Sequence, residues 1–174
     1  YSSTGTYTVN IYRRNSTTKI LGLDISGRNV TSLDLSNIVS LDSLNCSNNA
    51  LLLSDLYAAS KKVTNPDHFI FSNQIIAAQN VILNQTIDLS TQAMFDGIPT
   101  EFVVKKNAEL AIDGIDYTLN EGILHFLTAG NYTVEMSNSA IVGVQPAPLP
   151  AKGLSAAPSN TPMVVLQYVV DIST

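Results

Sequence analysis

One cysteine (Cys46), no tryptophan and only two histidines (His68 and His125) leave this 174-residue chain short of most side chains that perform chemistry. A lone cysteine cannot close an internal disulfide, so it does not decide the redox compartment. Charge is scarce as well. Asp, Glu, Lys and Arg make up 13% of residues, about half the usual ~25%. Nine basic against fourteen acidic residues leave a net charge of −5, and no basic run exists that could neutralise a row of phosphates. Nucleic acid is thereby excluded as an expected partner, and anionic membrane surfaces are disfavoured. No apolar run approaches the ~20 residues of a membrane-spanning helix.

What the chain does contain is an ordinary globular share of apolar residues, 45%, with Ser, Thr and Asn in place of charge. That composition suits uncharged, β-rich surfaces outside the cell. The chain starts at Tyr1 with no charged-then-apolar leader. A signal peptide already removed and a start inside a longer protein are both expected. Residues 6–12 (Thr-Tyr-Thr-Val-Asn-Ile-Tyr) alternate polar and apolar, which predicts a half-buried strand.

An internal repeat follows. Ile20-x-x-Leu23-x-Ile25 aligns with Leu41-x-x-Leu44-x-Cys46 at a constant offset of 21 residues, and Val30 with Leu51. Leu33-Asp34-Leu35 supplies a further apolar pair. Such a unit is a short strand with alternate residues pointing into a stack, then a tight turn whose asparagine satisfies backbone groups. In the second unit that residue is Asn49; in the first, Arg28 departs from the pattern. Residues 54–63 predict a short closing helix, with Ser54 as N-cap, Asp55 at the positive end, Lys61 and Lys62 in the last turn, and Leu56, Ala59 and Val63 as the apolar stripe. Asn65-Pro66 stops it.

From residue 69 the period changes to two. Strands are predicted at 69–72, 81–83, 86–89, 101–106, 116–119, 122–127 and 131–137, separated by Gly, Asn, Asp and Pro turns. Tyr132, Val134 and Met136 are expected inward. Five prolines then fall between 145 and 163, in a linker or long loop. The apolar run 164–170 is expected as a buried final strand, with the start of another module as the alternative.

The run Leu44-Asn45-Cys46-Ser47-Asn48-Asn49-Ala50-Leu51 resembles the bacterial secreted leucine-rich repeats of the short 21-residue type. The run Gly130-Asn131-Tyr132-Thr133-Val134 resembles the tyrosine corner of Ig-like domains, and with the hairpin from Gly114 to Leu124 it is similar to bacterial Ig-like surface modules. The resemblance implies a mainly β fold: a short leucine-rich-repeat stub with one short helix, then an Ig-like β-sandwich. The boundaries are 1–66 for the N-terminal strand, two repeats and capping helix, and 67–174 for the sandwich with its Pro-rich loop at 145–163.

Catalytic motifs are missing: no His-Glu-x-x-His, no Gly-x-Ser-x-Gly, no phosphate-binding glycine loop. Cys46 reads as a buried small residue. His68 reads as a turn residue and His125 as a strand rim residue. Glu101, Glu109, Glu121 and Glu135 are scattered rather than paired. Asp113-Gly114-Ile115-Asp116 offers two carboxylates, too few for a calcium loop, and reads as a hairpin turn. The Asn-x-Ser/Thr sites at Asn15, Asn29, Asn45, Asn84 and Asn131 carry no weight in a bacterial protein. No catalytic residue, cofactor or metal site is therefore expected. The outward repeat positions Gly22, Asp24, Ser26, Ser43, Asn45 and Ser47 include no aromatic residue or Arg to anchor an interface, so the binding residues stay unassigned. The expected role is a secreted or cell-surface, non-catalytic display, adhesion or protein-interaction module of a larger bacterial protein, with an unknown protein or glycan ligand. The alternative is a carbohydrate-binding module of a polysaccharide-capture system, with exposed tyrosines such as Tyr117 supplying the platform.

Overall fold

Residues 20–144 and 162–171 are described by the computed structural model of the chain. The predicted strand at 6–12 and the prolines at 146–158 lie outside them. The fold is mainly β, with one α-helix among the described residues.

The 21-residue offset in the sequence is a strand register in space. Strands β1 (Gly22–Asp24), β2 (Ser43–Asn45) and β3 (Phe69–Ile70) form a parallel ladder in that order. Leu23 pairs with Leu44, and Leu44 with Phe69. Alternate residues point into the stack: Leu44, Cys46, Phe69 and Phe71 are fully buried, and Leu51 and Leu35 join them. Leu23, Ile25 and Leu33, expected in the same stack, are partly buried against it. Each strand leaves through the same left-handed turn position, occupied by Gly27, Asn48 and Asn73 at φ 61, 55 and 55°. Gly and Asn are the residue types that tolerate it.

The segment 69–72, predicted to open the second unit, is therefore the third rung of the ladder. Phe69-x-Phe71-Ser72-Asn73-Gln74 repeats Leu44-x-Cys46-Ser47-Asn48-Asn49 at an offset of 25. Asn49 reaches back one coil, accepting from the Arg28 and Val30 N–H groups and donating to the Ile25 carbonyl. Gln74 does the same, accepting from the Leu51 N–H at 3.0 Å. Hydrogen bonding thus continues across residues 66 and 67.

Helix α1 (Leu53–Ser60) fills the space between the second and third rungs with Leu53, Leu56 and Ala59. It is shorter than the 54–63 expected, and Ser54 is not its N-cap. Leu52 holds that position and has no polar side chain. The Asp55 carboxylate accepts from Leu52 N–H, and the Ser54 N–H is met by Gln92 Oε1 at 3.0 Å, 38 residues on. Lys61 is the C-cap rather than a last-turn residue. Lys62 lies beyond it and donates to the Ile38 carbonyl.

The remaining described residues build two larger sheets and a two-stranded one. Strands β4 (Gln74–Ile75), β5 (Gln79–Ile82), β9 (Glu101–Lys106), β10 (Glu109–Leu110), β13 (Gly130–Ser137) and β14 (Met163–Asp171) form one; β6 (Thr86–Asp88), β11 (Tyr117–Asn120) and β12 (Ile123–Phe126) form the other. The two-stranded sheet is the small hairpin of β7 (Met94–Phe95) and β8 (Ile98–Pro99). The apolar run near the C-terminus is a central strand: β14 pairs antiparallel with β13 and parallel with β4 and β5. Its alternate residues Val164, Leu166, Tyr168 and Val170 are buried, as are Tyr132, Val134 and Met136 of β13. The two sheets meet through Phe126, whose ring lies 4.3 Å from that of Tyr132 and 5.3 Å from that of Tyr168. These contacts and those of the ladder belong to one continuous apolar cluster.

The chain returns to the ladder after β13. Val144 bridges Ile70 in parallel, its N–H 2.7 Å from the Phe69 carbonyl. The approach is close because residue 143 is glycine: a Cβ there would sit 2.4 Å from the Phe71 ring and 2.6 Å from the Phe69 oxygen.

Candidate functional site

The ladder turns alternate side chains inward, and the residues between form an open face. Across it run two rows. The first is Gly22, Ser43 and His68; the second is Asp24, Asn45 and Ile70, extended by Val144. Between them lies a shallow depression of about 380 Å³, bounded by Gly22, Asp24, Ser43, Asn45, His68 and Ile70. Gly22 has no side chain, and the Ser43 hydroxyl takes up that space, 2.6 Å from where a Cβ would be.

The polar groups here are held in place by local hydrogen bonds that their own sequence supplies. Asp24 Oδ1 accepts from the hydroxyl and N–H of Ser26, at 2.7 and 2.9 Å. Asn45 Oδ1 accepts from the hydroxyl and N–H of Ser47, at 2.7 and 3.2 Å. These are side-chain turns of the same design, one repeat apart. They are tied together by Asn45 Nδ2, which donates to Asp24 Oδ2 at 3.3 Å. The Ser26 hydroxyl, then its N–H, then the Asn45 amide hold the Asp24 carboxyl below the usual carboxylate range. On the third rung, His68 Nδ1 lies 3.0 Å from the Asp42 carbonyl. A carbonyl only accepts, so the neutral ring donates from Nδ1 and leaves Nε2 as an acceptor. Ser47, expected to point outward, is buried because its hydroxyl folds onto Asn45.

The remaining candidates from the sequence are dispersed. Cys46 is buried in the ladder with its thiol directed at the Ile70 carbonyl, 3.5 Å away, and burial pushes its pKa up to about 12. At neutral pH it is a protonated thiol, not a nucleophile. His125 lies in β12 between Thr118 and Thr86, far in sequence and sheet from the ladder. Glu135 pairs with Lys105 at 2.6 Å on the six-stranded sheet, while Glu101, Glu109 and Glu121 are exposed. Asp113 and Asp116 occupy the turn before β11, with Gly114 at φ 76°; Asp116 accepts from the Ile112 N–H and from Lys106 Nζ. Among the described residues, no group of three His, Cys, Asp or Glu side chains is placed to hold a metal. Asn29, Asn84 and Asn131 are exposed and Asn45 is half-buried, while Asn15 lies outside the described residues. Tyr117 is half-buried, and burial is the main cause raising its pKa.

The third rung of the site, His68 and Ile70, was missed in the sequence because Phe69 and Phe71 replace the Leu and Cys of the earlier unit. The Ser-Asn-Gln of 72–74, against the Ser-Asn-Asn of 47–49, was the available signal. No protein-family model matches the chain, and no curated protein is significantly similar to it.

Proposed function

We propose that the chain is a non-catalytic, secreted or cell-surface module of a larger bacterial protein, and that it presents the open ladder face for adhesion or protein contact. In this reading the ladder is a short leucine-rich-repeat stub of three coils. The two sheets behind it are an Ig-like sandwich that steadies the stub. The 21-residue register and the repeated back-reaching amides support the first part. The facing sheets and the Tyr132 hydroxyl, bonded to the Asp116 and Thr128 carbonyls at 3.0 Å each, support the second.

The observation that carries the functional reading is the ladder face itself. It is open, and Asp24, Asn45 and His68 are held by hydrogen bonds in fixed positions, which lowers the ordering cost of recognition. Its chemistry is that of hydrogen bonding: one carboxylate, one amide, one hydroxyl and one imidazole, without a paired acid, an activated nucleophile or a metal cluster. Location is tested by labelling intact producing cells with antibody to this chain. Signal that protease shaving removes supports the reading; labelling only after lysis would sink it. Adhesion is tested with beads carrying the full chain, scored for retention on other cells against beads carrying an unrelated β-protein.

A further inference from the structure

Resting on that reading of the ladder face as a recognition surface, we infer that its ligand is an uncharged, hydroxyl-rich glycan seated on Asp24, Asn45, Ser43 and His68. The donor and acceptor inventory points there. After its internal bonds, Asp24 Oδ2 keeps accepting capacity, and Asn45 Nδ2 keeps a second hydrogen. Ser43 Oγ both donates and accepts, and His68 Nε2 accepts. Sugar hydroxyls donate and accept in turn, so a mixed array of this kind complements adjacent hydroxyls on one ring.

Size agrees with chemistry. Neighbouring strands lie about 4.8 Å apart, and alternate residues along a parallel strand about 6.6 Å apart. The cell marked out by Gly22, Asp24, Ser43 and Asn45 is thus on the scale of a single sugar ring. Over Gly22 stands the Ser43 hydroxyl, which occupies the space a Cβ would take and is thereby placed at the edge of that cell. Ile70, half-buried at the next position of the row, offers an apolar contact for ring C–H groups.

Other ligand classes fit less well. Neither Lys nor Arg lines the depression, and Asp24 would repel a phosphate, sulfate or uronate. A protein partner would seek aromatic or Arg anchors, which the lining lacks. A cation would meet a single carboxylate already engaged by Ser26 and Asn45.

The test uses the full chain, labelled with 15N and titrated with oligosaccharides of neutral β-glucan, α-mannan and galactan. Polygalacturonate and heparin fragments serve as charged controls. At least one neutral series should shift amide resonances at 22–24, 43–45 and 68–70. Asp24→Asn keeps an acceptor for the Ser26 bonds, as Asn45 shows in the next coil, and so preserves the turn while replacing the outer acceptor with a donor. It should weaken binding at least about tenfold, as should His68→Ala. Leu110→Ser, on the distant sheet edge, should leave affinity unchanged. The inference fails if no neutral glycan shifts the ladder, if only the charged controls do, or if Asp24→Asn binds as the wild type does. Coated beads separate this failure from that of the broader reading. Adhesion lost on Asp24→Asn but indifferent to periodate cleavage of vicinal diols on the target surface would identify a protein partner and overturn the glycan. Beads that do not adhere, together with an intracellular label, would overturn the display role itself.

Discussion

The side-chain amides of Asn49 and Gln74 donate to the same oxygen, the buried Cys46 carbonyl, at 2.9 and 2.8 Å. One amide comes from the same coil and the other from the next, so this carbonyl is the point where successive coils are fastened. Gln74 also lies opposite Val164, which makes it the joint between ladder and six-stranded sheet.

Gln74→Leu conserves approximate volume but leaves the Leu51 N–H without its acceptor and removes one donor to the Cys46 carbonyl. Both are buried, and the expected loss is about 2–4 kcal/mol in denaturant unfolding. A change under about 0.5 kcal/mol would show that backbone groups find other partners.

Cys46 provides two measurements. Cys46→Ser places a hydroxyl in an apolar stack and should cost about 1–3 kcal/mol; the native thiol should resist a thiol reagent until the protein unfolds. Its folded pKa of about 12 stands above the ordinary 9.0, and that of Tyr168, about 12, stands above 10.0. Both are raised by burial, so their contribution is complete below the unfolded values and is lost as pH rises. Stability should therefore decline from about pH 9 towards 12, with each group contributing at most about 1.4 kcal/mol per pH unit. Urea midpoints at several pH values, with Cys46→Ala reducing the slope, check the assignment.

Tyr132 is buried and its hydroxyl is satisfied by two carbonyls and by the Thr128 hydroxyl at 2.8 Å. Tyr132→Phe should cost about 1–1.5 kcal/mol, from the acceptors left unpaired. Tyr132→Ala adds a cavity and should cost about 3–5 kcal/mol. Because ladder and sheets share one apolar cluster, the alanine variant should also raise the labelling rate of Cys46. Protection of Cys46 that survives this variant would mean two independent cores.

Gly143→Ala tests the return of the chain to the ladder. The added methyl meets ring and backbone atoms of Phe71 and Phe69 at 2.4–2.9 Å. The expected cost is about 1–3 kcal/mol, from overpacking a site whose neighbours are fully buried. Amide exchange at Val144 should quicken with it, since the bond to the Phe69 carbonyl can no longer close.

Local periodicity by itself determined much of this protein. The 21-residue offset became the register of β1 on β2, and the run 101–106 became a strand with those same limits. The alternation through Tyr132, Val134 and Met136 sent those side chains inward. Each depends on residues close in sequence, where side-chain spacing alone decides which face is apolar. The outward identity of Asp24, Ser43 and Asn45 was legible for the same reason. Tertiary structure decided the rest. That Phe69–Ile70 completes the ladder, that Gln92 rather than Ser54 caps the helix, that Val144 returns beside Ile70 and that His68 joins the face all depend on partners about 20–75 residues apart in the sequence. Such pairings rest on buried backbone groups finding acceptors anywhere in the chain, and no local pattern records which segment supplies them.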